Sequence, residues 1–368
     1  MAKFPSSTAR APVLDTSGYS YDDVLPLIET SLRAGLSVLL RGHPGVGKSA
    51  LAKQVSERLG LPMHDIRLAQ REPAELCGVH FPDRDKQVLA LFAPEWVRAV
   101  CDAPGFVFLD EINAAVTRLH QAAAYQIVLE RRVGPFRFHP GTVVMAAGNL
   151  EEDQAIVSTL SSALNNRFVH FKLKVETEAW LRWGERSGVH PAVLAYVHAQ
   201  DRIASGVLYD NTGDDAFPTP RSWEMASRLL LAAGDDDRAG RRLCAACIGE
   251  SAAEKFFAHL RIYRRVDAKG IIEKGKTVDF SKGKESEASF VAAAVYAVAD
   301  WLAGAVVAEG KLVNVVKFLR SPGLDAEYQF LFLRRLKAAS DLCDRLKALP
   351  EYRALATELV HLHAGLYR

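Results

Sequence analysis

Apolar residues follow two rhythms along this chain, and the change from one to the other divides it. Up to about residue 174, short continuous apolar runs alternate with stretches of helical spacing, and beyond it only helical spacing remains. The short runs are Ser37-Val38-Leu39-Leu40, Met63 to Leu68, Phe106 to Leu109, Thr142 to Ala147 and Phe168 to Leu173. Each has strand length, and Ser37 to Leu40, Phe106 to Leu109 and Thr142 to Ala147 are almost wholly apolar, the pattern of strands buried on both faces. A helix is predicted over Asp22 to Arg33, and Leu51, Ala52, Val55 and Leu59 recur at helical spacing up to a stop at Gly60. Alternation of this kind predicts an α/β fold: a mostly parallel five-stranded sheet covered by helices on both faces.

After Val175 the pattern predicts a small helical unit from Glu178 to Gly184, Pro191 to Ala199, Pro220 to Ala233 and Ala239 to His259. A polar segment from Asp267 to Glu287, rich in Lys, Gly and Ser, reads as a linker or exposed loop. Three further helices are expected at Ala288 to Leu319, Asp325 to Ala348 and Glu351 to Leu366. Residues 1–20 mix Pro, Ser, Thr and Gly without periodicity and read as a mobile arm. The expected division is therefore an arm over 1–20, an α/β domain over 21–174, a helical unit over 175–266, and a linker with helical extension over 267–368.

Composition narrows the class. With 368 residues, 49% hydrophobic and 24% charged, the chain can bury two or three cores and is no disordered protein. A formal net charge of +2 gives no broad field for nucleic acid or an anionic membrane. Five cysteines, an odd number in a chain with no secretory start, point to reduced thiols in the cytoplasm. Cys244 and Cys247 have CxxC spacing but lack a second pair or nearby histidines, so they read as core packing. Phe290 to Ala308 is the most apolar stretch, yet Asp300 interrupts it and alanine dominates, so it reads as a buried helix and not as a membrane span.

The chemistry concentrates after the first strand. Gly42, His43, Pro44, Gly45, Val46, Gly47, Lys48 and Ser49 spell a complete G-x-x-x-x-G-K-[ST] phosphate loop, continued by Ala50 into a helix. The glycines let successive backbone N–H groups face an anion, and the helix start adds its positive end. Lys48 can reach the β- and γ-phosphates of ATP, and the Ser49 hydroxyl can hold a bridging Mg²⁺. The run Phe106 to Leu109 ends in Asp110 and Glu111: Asp110 suits the metal, while Glu111 can polarise an attacking water. Asn149, at the tip of the Thr142 strand, can bond the γ-phosphate or that water; taken alone it would read as a turn residue.

The series GHPGVGKS, FVFLDE, AAGN, ALNNRF and TPRSWE, spanning residues 30 to 265, resembles the AAA+ ATPases, and among them the MoxR branch and its relatives. The resemblance implies a sensor 1 at Asn149 and an arginine finger at Arg167 that reaches a neighbouring subunit's nucleotide. It further implies a sensor 2 at Arg221, opening a lid helix. Each arginine also has the plainer reading of a surface ion-pair partner. Gly78 to Phe92, with a turn expected at Pro82-Asp83, and Arg132 to Pro140, with Gly134-Pro135 at its turn, read as hairpins. They are similar to inserts that face the central pore of a ring in that branch, which makes Phe81, Arg84 and Lys86 pore candidates. An aromatic-glycine threading signature is missing.

Three functions compete on this reading. One is an ATP-driven motor in a ring, expected to be a hexamer, that remodels a partner protein in a chaperone-like manner, with a von Willebrand A-domain protein as the partner type the resemblance implies. The others are a nucleic-acid-directed NTPase of the restriction type and a nucleotide-gated scaffold. Near-neutral charge and the lack of an aromatic-basic surface weigh against the second, and Glu111 weighs against the third. GTP in place of ATP stays open, since base contacts would come from backbone and apolar residues near Leu25 and the lid.

Overall fold

The apolar run at Ser37–Gly42 becomes a central strand whose Val38, Leu39 and Leu40 are fully buried. In this computed structural model residues 18–114, 118–150, 160–203, 206–211, 213–336 and 340–366 are described. The chain divides between Glu176 and Thr177 into two units. The first runs α1 (Tyr21–Arg33), β1 (Ser37–Gly42), α2 (Lys48–Leu59), β2 (Met63–Arg67), α3 (Pro73–Cys77), β3 (Val79–Asp83), β4 (Val88–Phe92), α4 (Glu95–Asp102) and β5 (Phe106–Asp110). It continues with α5 (Arg118–Tyr125), a π-helical turn at Gln126–Glu130, β6 (Arg132–Val133), β7 (Phe136–Arg137), β8 (Val143–Gly148), α6 (Ser162–Asn165) and β9 (Phe168–Leu173).

The main sheet has the order β2-β5-β8-β1-β9, and every pairing in it is parallel. Because strand side chains alternate in direction, the sheet carries two cores. Leu39, Val107, Leu109, Val144 and Ala146 pack on one face with Trp96, Val97 and Val100 of α4 and with Ile127 and Val128 of the π turn. Val38, Leu40, Phe106, Phe108 and Met145 pack on the other with Val24, Ile28 and Leu32 of α1 and Leu51, Ala52 and Val55 of α2. This is the doubly covered parallel α/β sheet that the apolar runs predicted. Its order sets the carboxyl ends of β5, β8 and β1 side by side, the place where such sheets hold ligands.

The insert between α3 and α4 is an antiparallel hairpin in which Val79 pairs with Phe92 and Asp83 with Val88. Its turn is not at Pro82-Asp83 but at Arg84 to Gln87, with Gln87 left-handed at φ 54°. Pro82 has no N–H to offer a ladder and lies within a two-stranded ribbon, where the loss is tolerable. The second insert pairs Val133 with Phe136 around Gly134-Pro135. Leu91 of the first hairpin joins the two: a Cβ on Gly134 would lie 2.5 Å from its Cδ2, and one on Gly78 would lie 3.2 Å from its Cδ1.

The second unit comprises α7 (Thr177–Arg186), α8 (Pro191–Asp201), α9 (Pro220–Ala233), α10 (Asp237–Ile248), α11 (Glu250–Arg265), α12 (Ala268–Lys274), α13 (Ala288–Gly304), α14 (Glu309–Leu319), α15 (Ala326–Leu336), α16 (Ser340–Ala348) and α17 (Pro350–Leu366). Two of these helices are buried nearly all round, α8 from Ala192 to Ala199 and α13 from Val291 to Ala299, and they pack on each other. The alanines that give α13 its composition permit that close approach. The buried-helix reading of Phe290 to Ala308 thus describes α13, while the chain from Ala305 to Ala308 is not helical.

Several boundaries differ from expectation. The stretch Ala239 to His259 is two helices, because Gly249 turns the chain at φ 82°, where a Cβ would meet the Ala216 carbonyl at 2.8 Å. Ala288 to Leu319 is likewise two helices, α13 and α14. The Asp267 to Glu287 segment is no exposed linker. Asp267 caps α12 by accepting from the Gly270 N–H at 2.8 Å, and Ile271, Ile272 and Phe280 are buried. Of the expected mobile arm, residues 1–17 lie outside the described residues, whereas Tyr19 donates to the Lys172 carbonyl at 2.8 Å and accepts from Lys174 at 3.1 Å, adding a bridge to the β9 edge.

A polar cluster ties α15 to the helices before it. Arg334 and Arg335 converge on Glu185 of α7 at 3.2 and 3.6 Å, and Arg335 lies 4.4 Å from the ring centre of the fully buried Tyr296 on α13. Arg202, beyond the end of α8, meets Asp325 at 3.1 Å and Glu327 at 3.3 Å and stacks over Tyr328. His198 sits 3.8 Å from Glu327, but burial, with Arg202 and Arg334 nearby, lowers its pKa to about 4, so the neutral ring makes no ion pair there at neutral pH.

Candidate active site

The loop after β1 has the geometry its glycines predict. Gly45 and Gly47 take φ of 74° and 101°, and Gly47 is the N-cap of α2 with no side chain capping the first turn. No N-cap side chain closes over this first turn, which leaves the helix start open to an anion. Gly42 is needed for closeness, since a Cβ there would come within 3.0 Å of the Leu173 carbonyl. His43, Pro44 and Val46 complete the loop, with the Val46 N–H donating to the His43 carbonyl at 3.4 Å, and Lys48, Ser49 and Ala50 begin the helix.

Lys48 is 9% exposed and its Nζ is held in the mouth of the loop. It donates to the Gly42 carbonyl at 2.7 Å, the His43 carbonyl at 2.9 Å and Asn149 Oδ1 at 2.8 Å. This last bond joins the start of α2 to the tip of β8. Ser49 Oγ donates to Asp110 Oδ2 at 2.9 Å, which places a hydroxyl and a buried carboxylate together at the end of β5. Among the described residues no cluster of three or more His, Cys, Asp or Glu could cage a metal. Mg²⁺ needs none: it is held by one or two protein oxygens, phosphate oxygens and waters, and the Ser49–Asp110 pair fits that donor set. Uncapped N–H groups, a converging ammonium and two hard oxygens fit a nucleoside triphosphate with its metal.

Glu111 follows in a left-handed conformation, φ 54°, uncommon outside glycine. Its N–H donates to Asp110 Oδ1 at 2.9 Å, so the acidic pair is braced through its own backbone. The sequence reading missed the next brace, Asn113. Its Nδ2 donates to the Asn149 carbonyl at 2.7 Å, and its Oδ1 accepts from the Asn149 N–H at 3.2 Å. A buried amide thus clasps the backbone of Asn149 from both sides. Gly148 makes room for it, as a Cβ there would stand 2.9 Å from Asn113 Oδ1. A glycine before an asparagine was visible in the sequence, but nothing there named the partner.

Arg167 stands between α6 and β9 with an exposed side chain. Its backbone N–H donates to the Leu164 carbonyl at 3.1 Å, while its guanidinium makes no hydrogen bond or ion pair among the described residues. Its position is set by a second pair that sequence reasoning missed, Arg41 donating to Asn165 Oδ1 at 3.0 Å. The structure brings Lys48, Ser49, Asp110 and Asn149 together by direct bonds, with Glu111 adjoining. Arg221 lies in the other unit, exposed in the first turn of α9, whose N-cap Thr219 forms a capping box with Ser222. Among the described residues Arg221 too has no side-chain partner.

Comparison with known proteins agrees with this geometry. Residues 38–174 match the ATPase family associated with various cellular activities (AAA). An uncharacterised Bacillus subtilis protein, YojN, is 30% identical over 178 residues, covering 45% of this chain and 57% of YojN. A Methanothermobacter thermautotrophicus protein named as a 26S proteasome regulatory subunit homolog is 28% identical over 151 residues, covering 39% of this chain and 37% of its own length. The chain thus spans about half the length, or less, of these curated relatives. Among solved structures, the Thermotoga maritima RuvB Holliday junction branch migration motor aligns over 71% of this chain and 78% of its own, with 16% identity and a TM-score of 0.33. Residues 38–174 thus match an AAA ATPase domain, and the loop, ammonium, hydroxyl and carboxylate they bring together fit ATP with Mg²⁺.

Proposed function

We propose that the chain is an ATP-driven motor of MoxR type that assembles as a six-membered ring and remodels a partner protein, in the manner of a chaperone. The observation that carries this reading is Arg167: a permanently charged fork, exposed, held in place by its backbone and by the Arg41–Asn165 bond, with no anion of its own among the described residues. A guanidinium so placed suits the phosphoryl charge on a neighbouring subunit's nucleotide. The hairpins supply the second half of the reading. Val79, Phe81, Val88 and Phe92 share one face of the first and are 44%, 52%, 53% and 64% exposed, an apolar surface suited to a protein client.

The roles within this reading follow from chemistry. Lys48 and the loop N–H groups bind the phosphates, and Ser49 and Asp110 hold Mg²⁺. Glu111 polarises the attacking water, Asn149 reports on the γ-phosphate, and Arg221 reads the nucleotide from a lid over 175–266, with 267–368 as its extension. A von Willebrand A-domain protein is the partner type this reading favours.

Mixing experiments test the central claim. Arg167→Ala should bind ATP almost normally and hydrolyse it ~3–5 decades more slowly, as loss of other arginine fingers does. Glu111→Gln should also be inactive. Rings mixed from these two proteins should recover part of the activity, because the Glu111→Gln subunit lends its Arg167 across the interface. Mixed rings that form and stay inactive would remove Arg167 from the role. Arg132, one alternative, is engaged with Glu130 at 2.6 Å and the Gly134 carbonyl; for Arg118, the other, the side chain lies outside the described residues.

A further inference from the structure

We propose that the cleft between α10 and α11 is a second anion site, separate from the phosphate loop, built for a compact, multiply phosphorylated small molecule. The cleft has a volume of about 560 Å³ and is lined by Arg238, Arg241, Arg242, Arg261 and Arg264 together with Asp237, Glu250, Phe257 and Leu260. Arg238, Arg241 and Arg242 stand at helical spacings of three and four on one face of α10, and Arg261 and Arg264 do the same on α11. The turn at Gly249 folds the two helices against each other so that the basic rows face across the gap. Arg264 is paired with Asp237. The other four guanidiniums are exposed and make no hydrogen bond or ion pair among the described residues.

Nothing in the catalytic reading uses these residues. Four unpaired forks around one concavity repel one another, and a chain with a net charge of only +2 has concentrated them here. Every cation in the lining is arginine and none is lysine, the choice suited to bidentate grip on phosphate oxygens. The occupant's size follows from the surroundings. Asp235, Asp236 and Asp237 crowd the start of α10 and Glu250 the start of α11, so a long polyanion laid along either helix would run into carboxylates. Phe257 and Leu260 are 5% and 2% exposed and offer no face on which a base can stack. Acidic side chains on an extended peptide alternate in direction along the strand and present charge too sparsely for forks on both walls. Vicinal phosphates place several charges and many acceptor oxygens within one small volume.

Calorimetric titration of the full chain with sodium tripolyphosphate at physiological salt tests this. To keep the phosphate loop out of the reading, the titration uses Lys48→Ala, in which one saturable site should remain. Adding Arg241→Gln and Arg261→Gln should weaken that site by at least about a hundredfold, roughly tenfold for each fork removed. Arg241→Lys with Arg261→Lys, which keeps charge and fold but loses the forks, should weaken it by a smaller factor. Absence of saturable binding in the Lys48→Ala protein would overturn the proposal, as would binding indifferent to the arginine changes in protein with an unaltered melting profile. Tighter, arginine-dependent binding of a poly-glutamate peptide or of a DNA or RNA oligonucleotide would also overturn it, by giving the cleft to a macromolecule. The result is independent of the motor reading, since ATP hydrolysis takes no part in it.

Discussion

Asn113 spends both ends of its amide on the backbone of Asn149 and so holds the residue whose Oδ1 meets Lys48. A positioning role of this kind predicts a split effect. Asn113→Ala should leave ATP affinity within a few-fold of normal and lower turnover by about a hundredfold, the scale on which small misplacements act. Gly148→Ala should do the same by pushing the Asn113 amide aside. Single-turnover hydrolysis beside equilibrium nucleotide binding separates the two quantities, and an equal loss in both would show that the clasp merely maintains the fold. The direct residues behave differently. Lys48→Ala should abolish nucleotide binding, because a buried point charge aimed at the phosphates is gone, whereas Glu111→Gln should bind ATP and lose about 2–4 decades of hydrolysis. Wild-type phosphate release from Glu111→Gln would reassign the catalytic base. The phosphate-loop residues and the acidic pair were legible because their spacing along the chain encodes their chemistry. Asn113 and Arg41 were not, because each finds its partner through the strand order, across 36 and 124 positions of sequence.

Elements were legible wherever burial was two-sided. The central strands β1, β5 and β8 announced themselves as apolar runs because both faces of the sheet are covered there, whereas the edge strands β2 and β9 carry exposed Asp65, Arg67 and His170 and gave a weaker signal. Helix ends were less legible: Gly249 breaks one long periodic stretch, and the polar composition around α12 concealed the buried Ile271, Ile272 and Phe280. The first hairpin shows the same limit, since Pro82-Asp83 looks like a turn although the ladder carries both residues. Within the motor reading, this hairpin couples the client to the ATPase cycle and stands apart from hydrolysis itself. Replacing Phe81, Arg84 and Lys86 together should reduce partner-stimulated turnover severalfold and leave basal turnover nearly unchanged. A parallel fall in both rates would give the hairpin a structural role only. Leu91→Ala belongs to the same scale: by removing the side chain that meets both Gly78 and Gly134, it should cost about 2–3 kcal/mol of local stability and loosen one hairpin from the other, visible as faster amide exchange in both.

At the scale of the molecule, two behaviours are expected. On the motor reading, ATP with Mg²⁺ should drive assembly, since a bound γ-phosphate would give the neighbour's Arg167 an anion to grip; mass photometry that finds only monomers at micromolar concentration with ATP would defeat the ring. Acid should destabilise the helical unit. His190, His198 and His259 each have a pKa lowered to about 4, mainly by burial. The unfolded chain takes up these protons near pH 6.5 and the folded chain only near pH 4, so the stability they reflect is complete above about pH 6.5 and is lost as pH falls toward 4. Each contributes a slope of up to about 1.4 kcal/mol per pH unit in that window. Urea unfolding of the full chain at pH 7 and pH 5 should show the loss, and His198→Phe should blunt it. The Arg334, Arg335 and Glu185 cluster carries a further consequence, for cooperativity. Peeling α15 away would strip Glu185 of both its cations and leave Tyr296 and Arg335 without their stacking, all within one motion. The helices after α12 are therefore no detachable tail. A fragment ending at Val266 should fail to hold a folded helical unit, and gentle proteolysis of the full chain should find no stable intermediate cut between Gly275 and Glu287; the region from Thr177 onward melts as one block or not at all.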